Sequence, residues 1–280
     1  MGPPSSFASF QRQSTCVAFC FLTRELPLQS ELWYEFFLEA AHTGLPFVVC
    51  VHNKEPVRAD CGPAHRARHW FRERCVRRPV ETWWGNISLV RATLCLFREA
   101  IAREPRTTHL CLLSEACVPL AGFEAISGAV GARDRTTFDV RPPNESYDRW
   151  GHLADKTLIR PQNRCKQSQW FVAHRRDADW FVANDATDRW GEAPFAPDEH
   201  YFISLLKERG VDFADAKTTF NDWAWRPRFP HSGPGPVARQ ARPHVFDRVD
   251  AATVAALRAE GFLFLRKVRA DTVVELDLPG

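Results

Sequence analysis

Three short apolar runs, each closing on polar residues and separated by segments of helical period, limit what this chain can fold into. The runs are CVAFCFLTRE (Cys16 to Glu25), PFVVCVHNKEP (Pro46 to Pro56) and THLCLLSEACVPL (Thr108 to Leu120). Apolar stretches of this length without polar alternation suit strands covered on both faces. Between the first two lies ELWYEFFLEAAHTG (Glu31 to Gly44), which ends on the glycine that commonly stops a helix. Between the second and third lies GNISLVRATLCLFREAIARE (Gly85 to Glu104), with Ile87, Val90, Leu94, Phe97 and Ile101 at helical spacing. Strand, helix, strand, helix, strand predicts an α/β fold: a mainly parallel central sheet with helices on both faces. In such sheets a ligand lies beyond the carboxyl ends of the strands. That rule places His52 and Lys54 of HNKEP, and Ser114 and Glu115 of SEAC, on one rim.

The second half is less regular. YDRWGHLADKTLIRP reads as loop, and CKQSQWFVAHRRDADWFVA contains a helix. RPRFPHSGPGPVARQARP (Arg226 to Pro243) is rich in proline and glycine, and the stretch from there to Gly280 is too short for an independent domain. It predicts a long loop wrapping one domain over 15–280, with 1–14 a flexible N-terminal segment. No run of eighteen apolar residues occurs, so no membrane-spanning helix is predicted. The net charge of +3 is too small to argue for a nucleic-acid partner, and the arginine-dense RARHWFRERCVRR (Arg66 to Arg78) reads as a solvated basic helix. Nine cysteines with no CxxC pair and no zinc spacing suit small apolar side chains in a reducing compartment.

The familiar catalytic signatures GxSxG, GxGxxG, the P-loop and HExxH are missing. An Asp-x-Asp stands at Asp177 to Asp179, but Trp180, Phe181 and Val182 continue a helical pattern, so a solvated helix is expected there rather than a metal-holding turn. EAPFAPDEHYFISLLKERG (Glu192 to Gly210) predicts a short amphipathic helix from Pro197, with Tyr201, Phe202, Leu205 and Leu206 on its apolar side. It opens on Asp198, Glu199 and His200. Acids suit a helix start, yet helical spacing puts Glu199 on the face of Phe202, Ile203 and Leu206, where a carboxylate is either paired or used. Two adjacent acids cannot flank one glycosidic bond, which argues against a hydrolase. Ser168, Gln169 and Trp170 precede an apolar run; core packing accounts for Trp170, and a tryptophan beside hydrogen-bonding groups also suits a sugar site. GFLFLRKVRAD (Gly261 to Asp271) is a strand closing on Arg266 and Lys267, which would neutralise a diphosphate if the strand joins the same sheet.

Taken in order, FLTRELPLQSELWYEFF, VVCVHNKEP, WWGNISLVRATLCLFREAI, HLCLLSEACVPL, KQSQWFVAHRRDADWFV, APDEHYFISLL, FNDW and FLFLRKV resemble the core 2/I-branching N-acetylglucosaminyltransferase family. That family includes the peptide-O-xylosyltransferases and plant homologues, and the likeness is closest to the plant branch. The resemblance implies a GT-A-like fold and inverting transfer of N-acetylglucosamine or xylose from a UDP-sugar to a hydroxyl of a glycan or glycoprotein. No metal and no cofactor beyond the nucleotide-sugar donor are implied. Glu199 falls at the family's catalytic base, where a nearby apolar wall would raise its pKa. His52, Lys54, Arg266 and Lys267 fall on the donor side, Lys267 matching a diphosphate-binding residue. Ser114, Glu115, Gln169, Trp170 and Asp198 fall near sugar and acceptor, Asp198 capping the helix or orienting the site. A second diphosphate arginine has Arg226, Arg228 and Arg242 as candidates.

Three departures accompany the likeness. Gln167 stands where relatives often carry glycine, and the loop after FNDW differs. Family members are generally Golgi type II membrane proteins, whereas the matched region here starts close to Met1, which leads to the expectation of a soluble protein of the cytoplasm or of a virus-infected host cytosol. The alternative is an inactive nucleotide-sugar or carbohydrate-binding module of the same fold, which retention of Glu199 and Lys267 argues against.

Overall fold

The computed structural model describes residues 15–57, 66–142, 147–151, 157–190, 195–224, 227–231 and 243–276. The first half runs β1 (Val17–Thr23), α1 (Ser30–Thr43), β2 (Phe47–Asn53), α2 (Arg66–Arg72), α3 (Ser88–Arg103), β3 (His109–Ser114), β4 (Val118–Pro119) and α4 (Phe123–Gly131). Then come β5 (Thr137–Phe138), β6 (Val140–Arg141), α5 (Tyr147–Trp150), β7 (Lys166–Gln167), β8 (Val172–His174), α6 (Arg175–Ala183) and α7 (Thr187–Trp190). The chain finishes with α8 (Tyr201–Arg209), β9 (Ala214–Asp215), β10 (Thr219–Asn221), β11 (Phe246–Val249), α9 (Ala251–Ala259), β12 (Phe264–Arg266) and β13 (Val268–Val274). The predicted N-terminal segment, and most of the predicted 226–243 loop, lie outside the described residues.

The central sheet has six strands in the order β2-β1-β3-β8-β5-β9. β1 runs parallel to both β2 and β3, β8 is antiparallel to β3 and β5, and β9 is parallel to β5. The sheet is therefore mainly parallel, with β8 alone reversed. Alternation along β1 sorts the core into two layers. Val17, Phe19 and Phe21 face Trp33, Phe36, Phe37 and Phe123 of α1 and α4, while Ala18 and Cys20 face Val90, Leu94 and Phe97 of α3 and Phe202 of α8. Helices thus cover both faces. Gly44 ends α1 at φ +67, a left-handed conformation that explains the glycine there.

Four expectations are corrected. The third apolar run does not continue as one strand: β3 stops at Ser114, and after a turn β4 joins a separate three-stranded sheet, β10-β12-β4. The strand before Lys267, β12, belongs to that smaller sheet and not to the central one: it pairs with β10 and β4, and its Leu265 packs with Phe220, Phe246 and Leu257. The basic helix α2 is not simply solvated; Ala67 and Phe71 are fully buried. In Asp-x-Asp the helix is right, but Asp177 is buried and accepts the Thr136 hydroxyl hydrogen bond at 2.7 Å, while Asp179 pairs with Arg175 at 2.8 Å. All cysteines among the described residues are free thiols, and burial pushes those of Cys50 and Cys111 up to about 12. Among the described residues no helix is long and apolar enough to cross a membrane.

Candidate active site

The carboxyl ends of β1, β2 and β3 are stitched into one rim. Lys54 N–H donates to the Thr23 carbonyl at 3.0 Å, and the Thr23 hydroxyl donates to the His52 carbonyl at 3.2 Å. Glu115 accepts from the Arg24 amide at 2.5 Å, and Arg24 in turn pairs with Glu55 at 2.8 Å. Beside β2 an open hollow of about 390 Å³ is lined by Asn53, Lys54, Pro56, Val57, Arg72 and Arg77, with Pro79 on its wall. Lys54 is exposed there, as the strand direction predicts.

His52 does not reach that hollow as a surface group; it is fully buried. Its Nε2 accepts the Val80 amide hydrogen bond at 2.8 Å, so Nδ1 carries the proton, and burial lowers the ring's pKa and keeps it neutral. His52 therefore fixes the backbone beside Pro79, shaping the hollow from behind. Ser114 is also buried, and its hydroxyl is engaged with Cys117 Sγ at 3.2 Å and the Ala116 amide at 3.2 Å. It holds the turn that redirects the chain into β4.

The acidic stretch takes a different local shape from the predicted helix. Pro197–Glu199 is a single 3-10 turn, and α8 starts only at Tyr201, after His200 breaks the helical angles at φ −129. Proline at a first helical position suits either geometry, which is why sequence spacing misplaces the start. Glu199 consequently leaves the apolar face of Phe202 and Leu206. It meets two cations instead: Arg149 of α5 in a close ion pair, and Lys166 of β7 at 3.7 Å. Asp198 makes no cap to α8. It is buried with Oδ1 unpartnered, and desolvation first, then the neighbouring Glu199 charge, push its carboxyl up to about 7. The apolar wall foreseen for Glu199 thus acts on Asp198.

The turn is clamped from below. His200 Nδ1 donates to the Cys165 carbonyl at 2.7 Å, and burial pushes the imidazole down to about 3, so it is neutral. Gln167, standing in place of the family's glycine, is fully buried and accepts from the Ile203 amide at 3.1 Å. Its amide oxygen ties β7, the strand of Lys166, to α8.

Arg266 approaches from the smaller sheet. Its guanidinium lies over the Trp170 ring at 4.8 Å and donates to Asn221 Oδ1 at 3.0 Å, leaving Nε buried and unpartnered. Burial holds its pKa below the ordinary arginine value, against the fields of Cys117, Glu115 and Glu199. Asn221 and the Trp170 ring together fix the guanidinium at the end of β12. Trp170 is buried in the core and forms the floor beneath Arg266; Gln169 beside it is half-buried. Lys267 is half-buried next to Arg266, its carbonyl accepting from Phe246 N–H at 2.8 Å. Of the candidates for a second diphosphate arginine, Arg228 is paired with Glu260. Arg226 and Arg242 lie outside the described residues.

Arg149, Lys166 and Asn221 are the site residues that sequence reasoning missed. Asn221 and Lys166 stand inside the stretches FNDW and KQSQWF, so a polar residue at a strand end was the available signal. Arg149 sits in a stretch without periodicity and carried none. Among the described residues no group of three histidines, cysteines or acids converges as a metal site.

A family model described as Core-2/I-Branching enzyme matches residues 17–250. Glycosyltransferase BC10 of Oryza sativa subsp. japonica is 23% identical over 236 residues, 75% of this chain and 57% of the relative. The chain therefore spans little more than half the length of that curated relative. Among solved structures, the galactosyltransferase LgtC in complex with donor and acceptor sugar analogs aligns at 12% identity and a TM-score of 0.40, covering 72% of this chain and 75% of that one.

Proposed function

The chain belongs to the Core-2/I-Branching enzyme family across residues 17–250, and from that premise we propose that it is a GT-A-like, inverting glycosyltransferase using a UDP-sugar donor. The observation that supports this reading is Glu199 set on a short turn between two cations, Arg149 and Lys166, with Arg266 held by Asn221 and Trp170 at the end of β12. An acceptor hydroxyl placed against Glu199 gives up its proton to the carboxylate. Its oxygen bonds to the anomeric carbon from the face opposite the diphosphate, and the bond between that carbon and the departing phosphate oxygen breaks. UDP leaves with the electron pair. Negative charge then builds on the diphosphate, where Arg266 and Lys267 would meet it with preorganised positive charge in place of a metal ion. Arg149 and Lys166 hold the base in position, and the contact with Arg149 must loosen as the carboxylate takes the proton.

Lys54, Arg72 and Arg77 around the hollow beside β2 suit the nucleotide end of the donor. N-acetylglucosamine or xylose is the proposed sugar, and a hydroxyl of a glycan or glycoprotein the acceptor. Calorimetric titration with a panel of UDP-sugars in EDTA tests the reading, using the wild type, Lys267→Ala and Glu199→Gln. One UDP-sugar should bind without metal, weaken on Lys267→Ala and survive Glu199→Gln, which loses turnover alone. Binding that needs a divalent ion sinks the metal-independent mechanism. Binding without any turnover in the wild type favours an inactive binding module.

A further inference from the structure

Most large aromatic side chains among the described residues are buried, but Trp83, Trp84 and Phe195 are 53%, 78% and 49% exposed. Isolated exposed apolar residues are ordinary on a protein surface. Here two of the rings touch: Trp84 and Phe195 meet edge to face, with centroids 5.4 Å apart. They come from segments more than a hundred residues apart, and the backbone locks them together. Ala196 N–H donates to the Gly85 carbonyl at 3.1 Å, and Phe195 N–H to the Arg149 carbonyl at 3.3 Å. Gly85 is at φ +73, and a Cβ there would meet the Phe195 ring at 3.0 Å, so glycine permits the close approach. The tryptophan loop is fixed at its other end by Ser88, whose hydroxyl accepts from the Trp83 amide at 2.9 Å.

The platform adjoins the candidate base. Arg149 lies 5.7 Å over the Phe195 ring and is also the ion-pair partner of Glu199. One side chain therefore separates exposed aromatic surface from the carboxylate. A rigid aromatic face edged by a guanidinium binds a ligand with one apolar face and hydroxyls at its edge, which describes a pyranose ring. The apolar C–H face covers the indole while the edge hydroxyls reach the arginine.

We propose that Trp84 and Phe195 form the stacking platform for a pyranose ring of the acceptor glycan, edged by Arg149 and leading to Glu199. This deepens the transferase reading and rests on it for the word acceptor. As a glycan-binding surface the platform stands on the ring geometry alone.

The test is saturation-transfer NMR and calorimetry with cellotetraose, xylotetraose and N-acetyllactosamine as probes. Wild type, Trp84→Ala, Trp84→Phe and Phe195→Ala are compared, with UDP binding and light scattering run alongside. At least one oligosaccharide should bind the wild type, weaken tenfold or more in Trp84→Ala, and recover to within about threefold in Trp84→Phe, because a phenyl ring restores a stacking face. UDP affinity should stay the same in all four proteins. Unchanged oligosaccharide binding in Trp84→Ala overturns the platform. So does a wild type that binds UDP and none of the three probes, an outcome that leaves the donor reading intact. A dimer that dissolves in Trp84→Ala while glycan binding persists makes the face a self-association surface and also overturns the proposal. A wild type that binds oligosaccharide through Trp84 but no UDP sinks the donor reading and retains the platform as a lectin-like site.

Discussion

Between Val17 and Ser114 the central sheet is built from strands of seven, seven and six residues in unbroken parallel register. From Thr137 onward its added strands are two or three residues long. The first region owes its order to apolar layers on both faces of β1. The second holds its candidate site side chains by particular polar contacts: Glu199 by Arg149 and Lys166, His200 by the Cys165 carbonyl, and Arg266 by Asn221 and Trp170. Hydrophobic layers tolerate sequence change as long as volume is kept. A polar constellation depends on individual atoms. The contrast separates a region held by apolar layers from a region held by single polar contacts, where the proposed chemistry lies, and the two should respond differently to mutation.

The sharpest break of that contrast is Phe19→Ala. Phe19 is fully buried and packs edge to face on Trp33, Phe36 and Phe37. Its loss should destabilise the protein by about 3–5 kcal/mol, read as a lowered urea midpoint by circular dichroism. If the regular region is the stability source, the whole chain unfolds in one earlier transition. Two separated transitions would show that the C-terminal half stands alone, and the comparison would fail.

Next comes Asp198, a buried carboxyl in the polar region that the fold keeps protonated, and so uncharged, below about pH 7. Its folded pKa of about 7 lies above the ordinary 3.8, so between about pH 4 and pH 7 the native state holds more protons than the unfolded one. Stability from this group therefore falls as pH rises across that window, by at most about 4 kcal/mol. Asp198→Asn should remove the dependence and gain most above pH 7. His200 acts with the opposite sign: its pKa of about 3 costs stability as pH falls below the ordinary 6.5. Comparing wild type with Asp198→Asn at each pH cancels that contribution. Parallel urea midpoints for the two proteins from acid to neutral pH would refute the burial argument.

Arg149→Ala probes the same region with less effect on stability. A single partly exposed ion pair contributes about 1 kcal/mol or less, so the urea midpoint should barely move. If Arg149 positions Glu199, turnover falls roughly 10–100-fold, UDP affinity stays constant, and Arg149→Lys restores part of the rate. The pH–rate profile should shift, because the base loses a neighbouring cation. A rate loss with an unmoved profile would reduce Arg149 to a structural strut.

The division also explains what the sequence could reveal. Two of the long apolar runs had one reasonable reading, and β1, β2, α1 and α3 fall where their periodicity puts them, while the third run divides into β3 and β4. Glu199 stands out as a candidate because its neighbourhood combines proline, acids and an apolar helix. Its partners do not, since Arg149 lies fifty residues away in a segment without periodic pattern. His52 reads as a rim residue from strand direction, yet its burial depends on where residues 79–80 fold back. Likewise an apolar run identifies β12 as a strand but says nothing about which strands will flank it. The element types set by a segment's own pattern survive into the structure, whereas the start of α8 and the partners set by distant segments do not.

The smallest expected effect belongs to the rim, where the regular region would meet the donor. Lys54 is exposed beside the hollow at the end of β2, so its charge is solvated and its pull on a diphosphate screened. Lys54→Ala should weaken UDP about three- to tenfold by calorimetry at low salt, and less at high salt, with turnover at saturating donor unchanged. That pattern would mark the regular region as supplying affinity while the polar region supplies rate. A fall in turnover at saturation would place Lys54 at the reacting phosphates instead, and the boundary between the two regions would have to be drawn through the rim rather than behind it.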